Sequence, residues 1–247
     1  MRAPRPHCFL SIAGELASFV TGTNVDDLPP LALERARMVI ASTIASAAMG
    51  ADIVSSRIIR ELARERAGAP EATLWFDGGS ALPVADAARV NAVMSDAAAS
   101  DDSDLRSIAH IGTIVSTTAI AMAERTGASG RDVLAAMVLG YEIAGRIDEA
   151  LTPGRGERGF HGSISTIFGG AVAAGRLIKL TPAQMTQAIA LAATSIGGLM
   201  VAANTSVARE YHAGLSAMLG IHAALAAHKG FVAEENVLEM SRGFFSA

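Results

Sequence analysis

Apolar residues recur every three or four positions along most of the chain, a spacing that places them on one face of an α-helix. One such segment begins at Pro29-Pro30 and places apolar side chains at Leu33, Ala36, Ile40 and Ile44. Ser129 and Thr181 stand where N-cap residues are expected, and Thr181 is followed by proline and then by Gln184, as in a capping box. The pattern predicts a mainly α-helical protein.

One short segment departs from this pattern. Residues 72–76, Ala-Thr-Leu-Trp-Phe, combine β-branched and aromatic side chains and end at Asp77-Gly78-Gly79, which predicts a strand bounded by a turn. No Ser/Pro-rich linker, low-complexity tract or fixed-period repeat divides the chain. We therefore expect one all-α domain over residues 1–247, with residues 1–8 mobile.

Two further stretches bear on how the helices pack. Residues 188–203 are the most membrane-like, but Gly197-Gly198 interrupts them and they fall short of the ~20 residues that span a bilayer. We interpret this segment as a buried core helix. Residues 169–175 are glycine, alanine and one valine, which predicts close approach of helices either inside one chain or at a subunit interface.

Composition narrows the classes of function. Apolar residues make up 51% of the chain, enough for a substantial core, and a net charge of −4 without a basic stripe argues against a nucleic-acid partner. The single cysteine, Cys8, leaves no partner for a disulfide within one chain. The N-terminus lacks a sustained apolar run after its basic residues. We expect a cytoplasmic protein with no membrane partner.

Candidate chemistry is concentrated in polar islands between the apolar segments, since charged groups at helix edges are expected only where water or a ligand reaches them. The islands are Asp101-Asp102-Ser103 with His110-Ile111-Gly112, Arg158-Gly159-Phe160-His161-Gly162, and Arg209-Glu210-Tyr211-His212-Ala213-Gly214.

Two of the islands place a histidine at a predicted helix entrance. His110 precedes a helix expected from about Thr113, and His161 precedes one expected from about Ser165. Unpaired backbone N–H groups at such entrances favour an anion, for example a substrate carboxylate. Arg209 and His212 share one face of a helix expected over about 206–228, where a guanidinium can hold a carboxylate beside an imidazole.

Each island also has a simpler interpretation. Asp101, Asp102 and Asp104 have the pattern of solvated or capping loop residues, and a lone histidine at a helix start is more often a cap than an acid or base. Arg209 could instead form a salt bridge with Glu210 or with an aspartate elsewhere.

Other reactive residues offer less. We assign His222 and His228 to packing or surface, and Ser163 and Ser165 lack the setting of a nucleophilic serine. The sequence contains no zinc, nucleotide or dinucleotide motif, so we expect no cofactor and no metal.

Taken in order, the islands resemble the MmgE/PrpD family, which includes 2-methylcitrate dehydratases, cis-aconitate decarboxylases and iminodisuccinate epimerases. The motifs that carry the resemblance, which runs almost end to end, are Ala87-Ala88-Arg89-Val90-Asn91, Asp101-Asp102-Ser103 for Asp-Asp-Thr, His110-Ile111-Gly112 for His-Pro-Gly, Gly159-Phe160-His161 for Gly-Phe-His, Arg209-Glu210-Tyr211-His212-Ala213-Gly214 for Lys-Arg-x-His-x-Gly, and Leu238-Glu239 with Gly243-Phe244 near the end.

The resemblance implies an all-helical domain, a homodimer formed through it, and a cofactor-free site that removes a proton beside a carboxylate of a small substrate. Loss of water, loss of CO2 or reprotonation then makes the protein a lyase or an isomerase. On this basis the proton-transfer candidates are Asp102, His110 and His161. Residues expected to hold carboxylates or order the site are Asp101, Ser103, Arg209 and His212.

The chain also departs from the family pattern. The family commonly has His-x-x-Asp-Phe-Asp-Asp where this chain has Asp96 at the histidine position and Ala99 at the first aspartate. Arg209 stands in for lysine, and arginine can bind an anion but cannot act as a base. The family's C-terminal α/β lid domain is expected to be absent. Two hypotheses follow: a lyase or isomerase whose lid comes from a separate polypeptide, or a catalytically inactive helical dimerisation scaffold or anion-binding subunit.

Overall fold

A computed structural model describes residues 10–246 except Ala67, Ser107, Pro153 and Ile196. The expected mobility of residues 1–8, and Cys8 itself, lie outside the described residues. The helices are α1 Ile12–Gly22, α2 Pro30–Gly50, α3 Val54–Arg66, α4 Val84–Ala97, α5 Ile111–Thr126, α6 Gly130–Leu151, α7 Gly154–Glu157, α8 Ser163–Leu177, α9 Pro182–Thr194, α10 Met200–Thr205 and α11 Ala208–His228. The strands are β1 Ala72–Thr73 and β2 Ala81–Leu82.

The predicted all-α fold is confirmed, and local capping explains several of its boundaries. The Ser129 hydroxyl accepts from the backbone N–H of Asp132 at the start of α6, and the Asp132 carboxylate accepts from the backbone N–H of Ser129 (3.1 Å). Thr181 and Gln184 form the same reciprocal pair at the start of α9, with Pro182 at the first helical position. These pairs satisfy amide groups that a helix start would otherwise leave without partners.

Helix α8 lies at the centre, with α5, α6, α9 and α11 packed around it. Its small residues allow this, because a Cβ added at Gly169 would lie 2.9 Å from the carbonyl oxygen of Gly140 on α6. The residues of the 169–175 stretch are all buried. The predicted close packing is therefore found inside the chain, with α8 as the shared partner.

The predicted strand over 72–76 is wrong in length. Only Ala72 and Thr73 pair with β2, as Ala72 opposite Leu82 and Thr73 opposite Ala81. Beyond them, the Asn91 side chain donates to the Thr73 carbonyl (3.0 Å) and accepts from the Trp75 N–H (3.0 Å). The Leu74 N–H still donates to the Ser80 carbonyl (2.8 Å), but Trp75 and Phe76 lie in the turn, so the strand ends before them.

The prediction of one buried helix over 188–203 is also wrong beyond Thr194. Helix α9 buries most of its residues from Met185 to Ala193, but the helix ends at Thr194, and α10 begins at Met200 with no buried residue. Gly198 has φ +132°, a conformation that side-chain-bearing residues rarely adopt and that no helix contains. The break carries the backbone to the loop that holds His161.

Among the described helices, none is individually long and apolar enough to cross a membrane. Helices α2 and α3 together reach the required length and composition, but they are bent by 94° with respect to each other.

Candidate functional site

The polar islands meet at the first turns of α5, α8 and α11. A small cavity there is lined by His110, Ile114, His161, Ser163, Thr166, Arg209 and Ala213. Its internal volume is about 10 Å³, room for no more than a water molecule. A carboxylate ligand would therefore lie over the mouth of this cavity rather than inside it.

His110 is the N-cap residue of α5, and a buried carboxylate holds one side of its ring. Its Nδ1 lies 3.3 Å from Oδ2 of Asp101, whose side chain is fully buried. The same Oδ2 accepts from the Thr113 hydroxyl (2.8 Å), which in turn lies 2.9 Å from the hydroxyl of Ser95. The adjacent Asp101 carboxylate raises the pKa of His110 above its ordinary value, although burial opposes the shift.

Arg209 reaches back from α11 to the last turn of α4. Its Nε donates to Oδ2 of Asp96 (2.9 Å), and its Nη2 donates to the Asp96 carbonyl (2.7 Å). The Asp96 side chain is 2% exposed. Burial, and next the nearby Asp101 carboxylate, raises the pKa of Asp96 to about 6, while Arg209 acts in the opposite direction. Of the simpler interpretations, a salt bridge from Arg209 to a distant aspartate is confirmed.

Asp102 turns away from the cavity lining, toward α6. Its Oδ2 accepts from the Gly112 N–H (3.2 Å) and from the Tyr141 hydroxyl (2.9 Å), so it caps the first turn of α5. A Cβ at residue 112 would lie 2.1 Å from Oδ1 of Asp102 and 2.4 Å from Val39, which restricts the position to glycine. Burial raises the pKa of Asp102, whereas the bond from Tyr141 lowers it. The capping interpretation is thus right for Asp102, but solvation is wrong for it and for Asp101.

His161 lies opposite His110 in a quite different setting. Its Nδ1 accepts from the Ser163 backbone N–H (3.3 Å), and the backbone N–H of His161 donates to the Gly198 carbonyl (3.0 Å). The His212 ring is 5.9 Å away between centroids. Burial, and next the neighbouring His212 and Arg155, lowers the pKa of His161 to about 4. His161 is therefore neutral near pH 7, and the Ser163 contact favours the tautomer with hydrogen on Nε2.

A buried ion pair supports the loop that carries His161. Arg155 Nε lies 3.1 Å from Oδ1 of Asp148, and both side chains are at most 7% exposed. The Ser165 hydroxyl donates to the same Asp148 carboxylate and to the Gly162 carbonyl. Arg155 also donates to the Phe160 carbonyl (3.4 Å). The backbone on both sides of His161 is thereby tied to α6.

The structure brings together most of the predicted site residues. His110, His161 and Arg209 line the cavity, Asp101 stands behind His110, and His212 lies beside His161. Asp102 faces Tyr141 instead, and the buried hydroxyl of Ser103 has no hydrogen-bond partner among the described residues. His222 and His228 are exposed, as predicted.

Sequence reasoning missed Asp96, Tyr141, Asp148 and Arg155 as parts of the site. Asp96 could have been found, because a carboxylate in the last turn of a helix opposes the helix dipole and needs a compensating partner. Asp148 interrupts an apolar face of α6 between Ala144 and Leu151, a position that calls for a buried cation. Tyr141 carried no such signal.

Asp96, Asp101 and His110 have ligand atoms within 4.8 Å of one another, so they are the described residues that could hold a metal ion. Arg209 already supplies a positive charge to Asp96 there. The absence of a metal or cofactor remains a prediction from sequence.

The arrangement can bind an anion and move a proton. Asp101 raises the pKa of His110, which strengthens this ring as a proton acceptor, whereas burial lowers the pKa of His161 to about 4, so its neutral ring can present an N–H group. Two titratable groups whose environments shift their pKa values in opposite directions are typical of an acid–base site.

The chain is similar in sequence to known proteins of one family. A family model described as the MmgE/PrpD N-terminal domain matches residues 14–247. Relatives named cis-aconitate decarboxylase, from Aspergillus terreus and Homo sapiens, are 31% and 26% identical to the chain. Both alignments cover 95% of this chain but 49% and 50% of the relative. The chain therefore spans about half the length of the curated relatives that it matches.

Proposed function

Because this chain belongs to the MmgE/PrpD family, we propose that it carries the proton-transfer half of a lyase or isomerase that acts on a small carboxylate. The observation that carries the proposal is the facing pair of histidines, His110 and His161, which line one cavity with pKa values shifted in opposite directions. Relatives named as decarboxylases support a lyase-type reaction.

In the proposed reaction His110 is the base. Asp101 holds Nδ1 of the ring, which leaves Nε2 to take a proton from the carbon beside a substrate carboxylate. The electrons of the broken C–H bond pass into the carboxylate, and Asp101 stabilises the imidazolium that forms. Delivery of a proton to the opposite face of that carbon gives epimerisation, whereas loss of a hydroxyl from the neighbouring carbon, protonated to water by the His110 imidazolium, gives dehydration. In decarboxylation no C–H bond is broken: His110 begins as the imidazolium, CO2 leaves while the electron pair of the C–C bond stays on the substrate carbon, and the imidazolium protonates that carbon.

His161 and Arg209 are proposed to stabilise the charge that develops on the carboxylate. A neutral imidazole presents Nε2–H, and the guanidinium offers the N–H groups that Asp96 does not occupy. His212 lies beside His161, and Ser103 lies on the loop between α4 and α5. Both are proposed to position the substrate. Asp102, predicted as a proton-transfer residue, is better suited by its contacts with Gly112 and Tyr141 to positioning α5 beneath His110.

The proposal includes further polypeptide over the cavity. An opening of about 10 Å³ does not enclose a substrate, and a site open to water stabilises developing charge less well. We therefore propose that a lid formed by further polypeptide covers the cavity, and we also propose the homodimer and the cytoplasmic location expected from sequence. An apolar groove between α3 and the start of α11, which includes Ile58, Leu62 and Val207, offers a surface near Arg209 for such contacts.

Hydrogen exchange tests the proposal. The protein is incubated in deuterated water with a panel of small mono-, di- and tricarboxylates, and loss of the C–H signal beside the carboxylate is followed by proton NMR. We expect exchange in the wild type, a loss of about 10²-fold or more in His110→Gln, and a loss of about 10²-fold in His161→Leu, which removes one hydrogen-bond donor.

The matched control is His222→Gln, which changes an exposed histidine of α11 and should exchange at the wild-type rate. Carboxylate binding without exchange in any condition, including with a candidate lid polypeptide supplied, would favour the alternative of an anion-binding or dimerisation subunit.

A further inference from the structure

The guanidinium of Arg209 is largely committed within the chain. A carboxylate gains most from arginine when it receives two parallel N–H bonds. The side formed by Nε and Nη2 of Arg209 already faces Asp96, with bonds of 2.9 Å to Oδ2 and 2.7 Å to the carbonyl oxygen. An incoming ligand can therefore bind only the remaining N–H groups of Arg209, and it then lies next to the Asp96 carboxylate.

His110 also lies beside a carboxylate of this chain. Its Nδ1 lies 3.3 Å from the fully buried carboxylate of Asp101, so a positive charge on the ring is matched by a negative charge directly behind it. The remaining histidines at the site, His161 and His212, are held neutral mainly by burial, which lowers the pKa of each.

The site therefore contains two carboxylates, Asp96 and Asp101, and Arg209 is the one arginine or lysine among the described lining residues. The two carboxylates are buried, so solvent and salt screen them poorly. A ligand with one carboxylate can use the free face of Arg209, whereas a second carboxylate beside this face is repelled by Asp96 and Asp101.

We propose that Asp96 is a specificity-determining residue that restricts this site to substrates with a single carboxylate, by occupying the face of Arg209 that a second carboxylate would use. The inference rests on the proposed carboxylate site and narrows its substrate class. It distinguishes this chain from a site for cis-aconitate, the acid in the names of the relatives, which carries three carboxylates.

A pair of matched ligands tests the inference. Crotonate and fumarate share a four-carbon unsaturated skeleton and differ by one carboxylate, and their affinities at pH 7 are measured by titration calorimetry. We expect the wild type to bind crotonate about tenfold more tightly than fumarate. Asp96→Asn should raise the affinity for fumarate relative to crotonate by about tenfold, since one buried charge near the second carboxylate is removed.

Asp86→Asn is the matched control. Asp86 is also a buried aspartate of α4 paired with an arginine, Arg66 at 3.1 Å, but it does not line the cavity. Its substitution should leave the ratio of the two affinities unchanged. Thermal melting shows whether each variant folds. If Asp96→Asn does not fold, the ratio of the wild-type affinities for crotonate and fumarate tests the inference.

Equal or tighter binding of fumarate by the wild type overturns the inference and leaves the proposed carboxylate site standing. The same holds if folded Asp96→Asn keeps the wild-type ratio. If the wild type binds neither ligand, nor any other carboxylate of the exchange panel, the proposed function fails and the inference fails with it.

Discussion

The two histidines that face each other across the cavity illustrate how one residue type acquires two properties. His110 and His161 both stand at the start of a buried helix, yet the pKa of His110 is raised and that of His161 is lowered to about 4. The His110 half contains a carboxylate within 3.3 Å of the ring, whereas the His161 half offers the ring backbone groups and a second histidine. The neighbour, and not the position at the helix entrance, decides the charge.

The two halves also differ in what holds them. The His161 loop is tied to α6 by the buried Asp148–Arg155 ion pair. The His110 turn is held by Asp102, whose carboxylate accepts from the Gly112 N–H of α5 and from the Tyr141 hydroxyl of α6. Helix α6 therefore supports both halves from behind, through a charged pair on one side and a capping carboxylate on the other.

The largest expected effect comes from breaking the support of the His161 half. Asp148→Asn removes one partner of a buried ion pair and leaves the Arg155 charge without its carboxylate. We expect the free energy of unfolding to fall by about 3 kcal/mol, measured by urea denaturation. Glu142→Gln on the same helix breaks an exposed pair with Arg146 and should cost at most about 0.5 kcal/mol. Equal losses in the two variants would show that burial of the pair is unimportant.

A somewhat smaller effect is expected from the His110 half. Gly112→Ala places a methyl group within 2.1 Å of Asp102 Oδ1 and 2.4 Å of Val39, so the cap of α5 has to move. We expect a loss of about 2 kcal/mol in unfolding free energy and slower exchange in the proposed reaction.

Gly130→Ala is the control for this substitution. Gly130 is also in the first turn of a helix, but an added Cβ there meets nothing within 4 Å. Alanine should be neutral or stabilising by about 0.5–1 kcal/mol. A stable Gly112→Ala protein would mean that Asp102 can leave its position without cost.

The smallest effect, and the sharpest test of the comparison, is on titration. NMR titration of the wild type should place the His110 midpoint above 6.5 and that of His161 at about 4. Asp101→Asn removes the largest cause of the His110 shift, so the His110 midpoint should fall while that of His161 stays in place. An unchanged His110 midpoint would contradict the assigned role of Asp101.

The sign of the linked stability follows from the same shift. Because the folded-state pKa of His110 exceeds the ordinary value of 6.5, its contribution to stability is present below pH 6.5 and is lost as the pH rises through the raised value. Asp101→Asn should weaken this dependence. The proposed exchange reaction has the opposite requirement, since a base has to be neutral, and its rate should rise as His110 loses its proton.

Elements whose ends depend on neighbouring residues in sequence were well predicted. The caps at Ser129 and Thr181 form as expected because both partners of each hydrogen bond lie within three residues. The strand over 72–76 is shorter than predicted because Trp75 and Phe76 belong to the turn, where Phe76 has φ +55°. The helix over 188–203 was overestimated because its apolar composition outweighed the glycines in the prediction.

Within the site, the sequence indicated which side chains could transfer a proton or bind an anion, but not which residues they pair with. The importance of the islands containing His110, His161 and Arg209 could be inferred, since polar residues between apolar helices require a reason. The partners Asp96 and Tyr141 come from α4 and α6, and no local spacing connects Arg209 to a residue 113 positions earlier.

The sequence by itself therefore determined the helical fold class, the caps and the set of candidate side chains, because these depend on periodicity and on hydrogen bonds between near neighbours. The tertiary structure alone decided that Asp101 backs His110, that Asp96 occupies Arg209, and that Asp102 faces Tyr141. Charge and proton affinity depend on distances of a few ångströms and on burial, and only the packing of α4, α5, α6, α8 and α11 sets both.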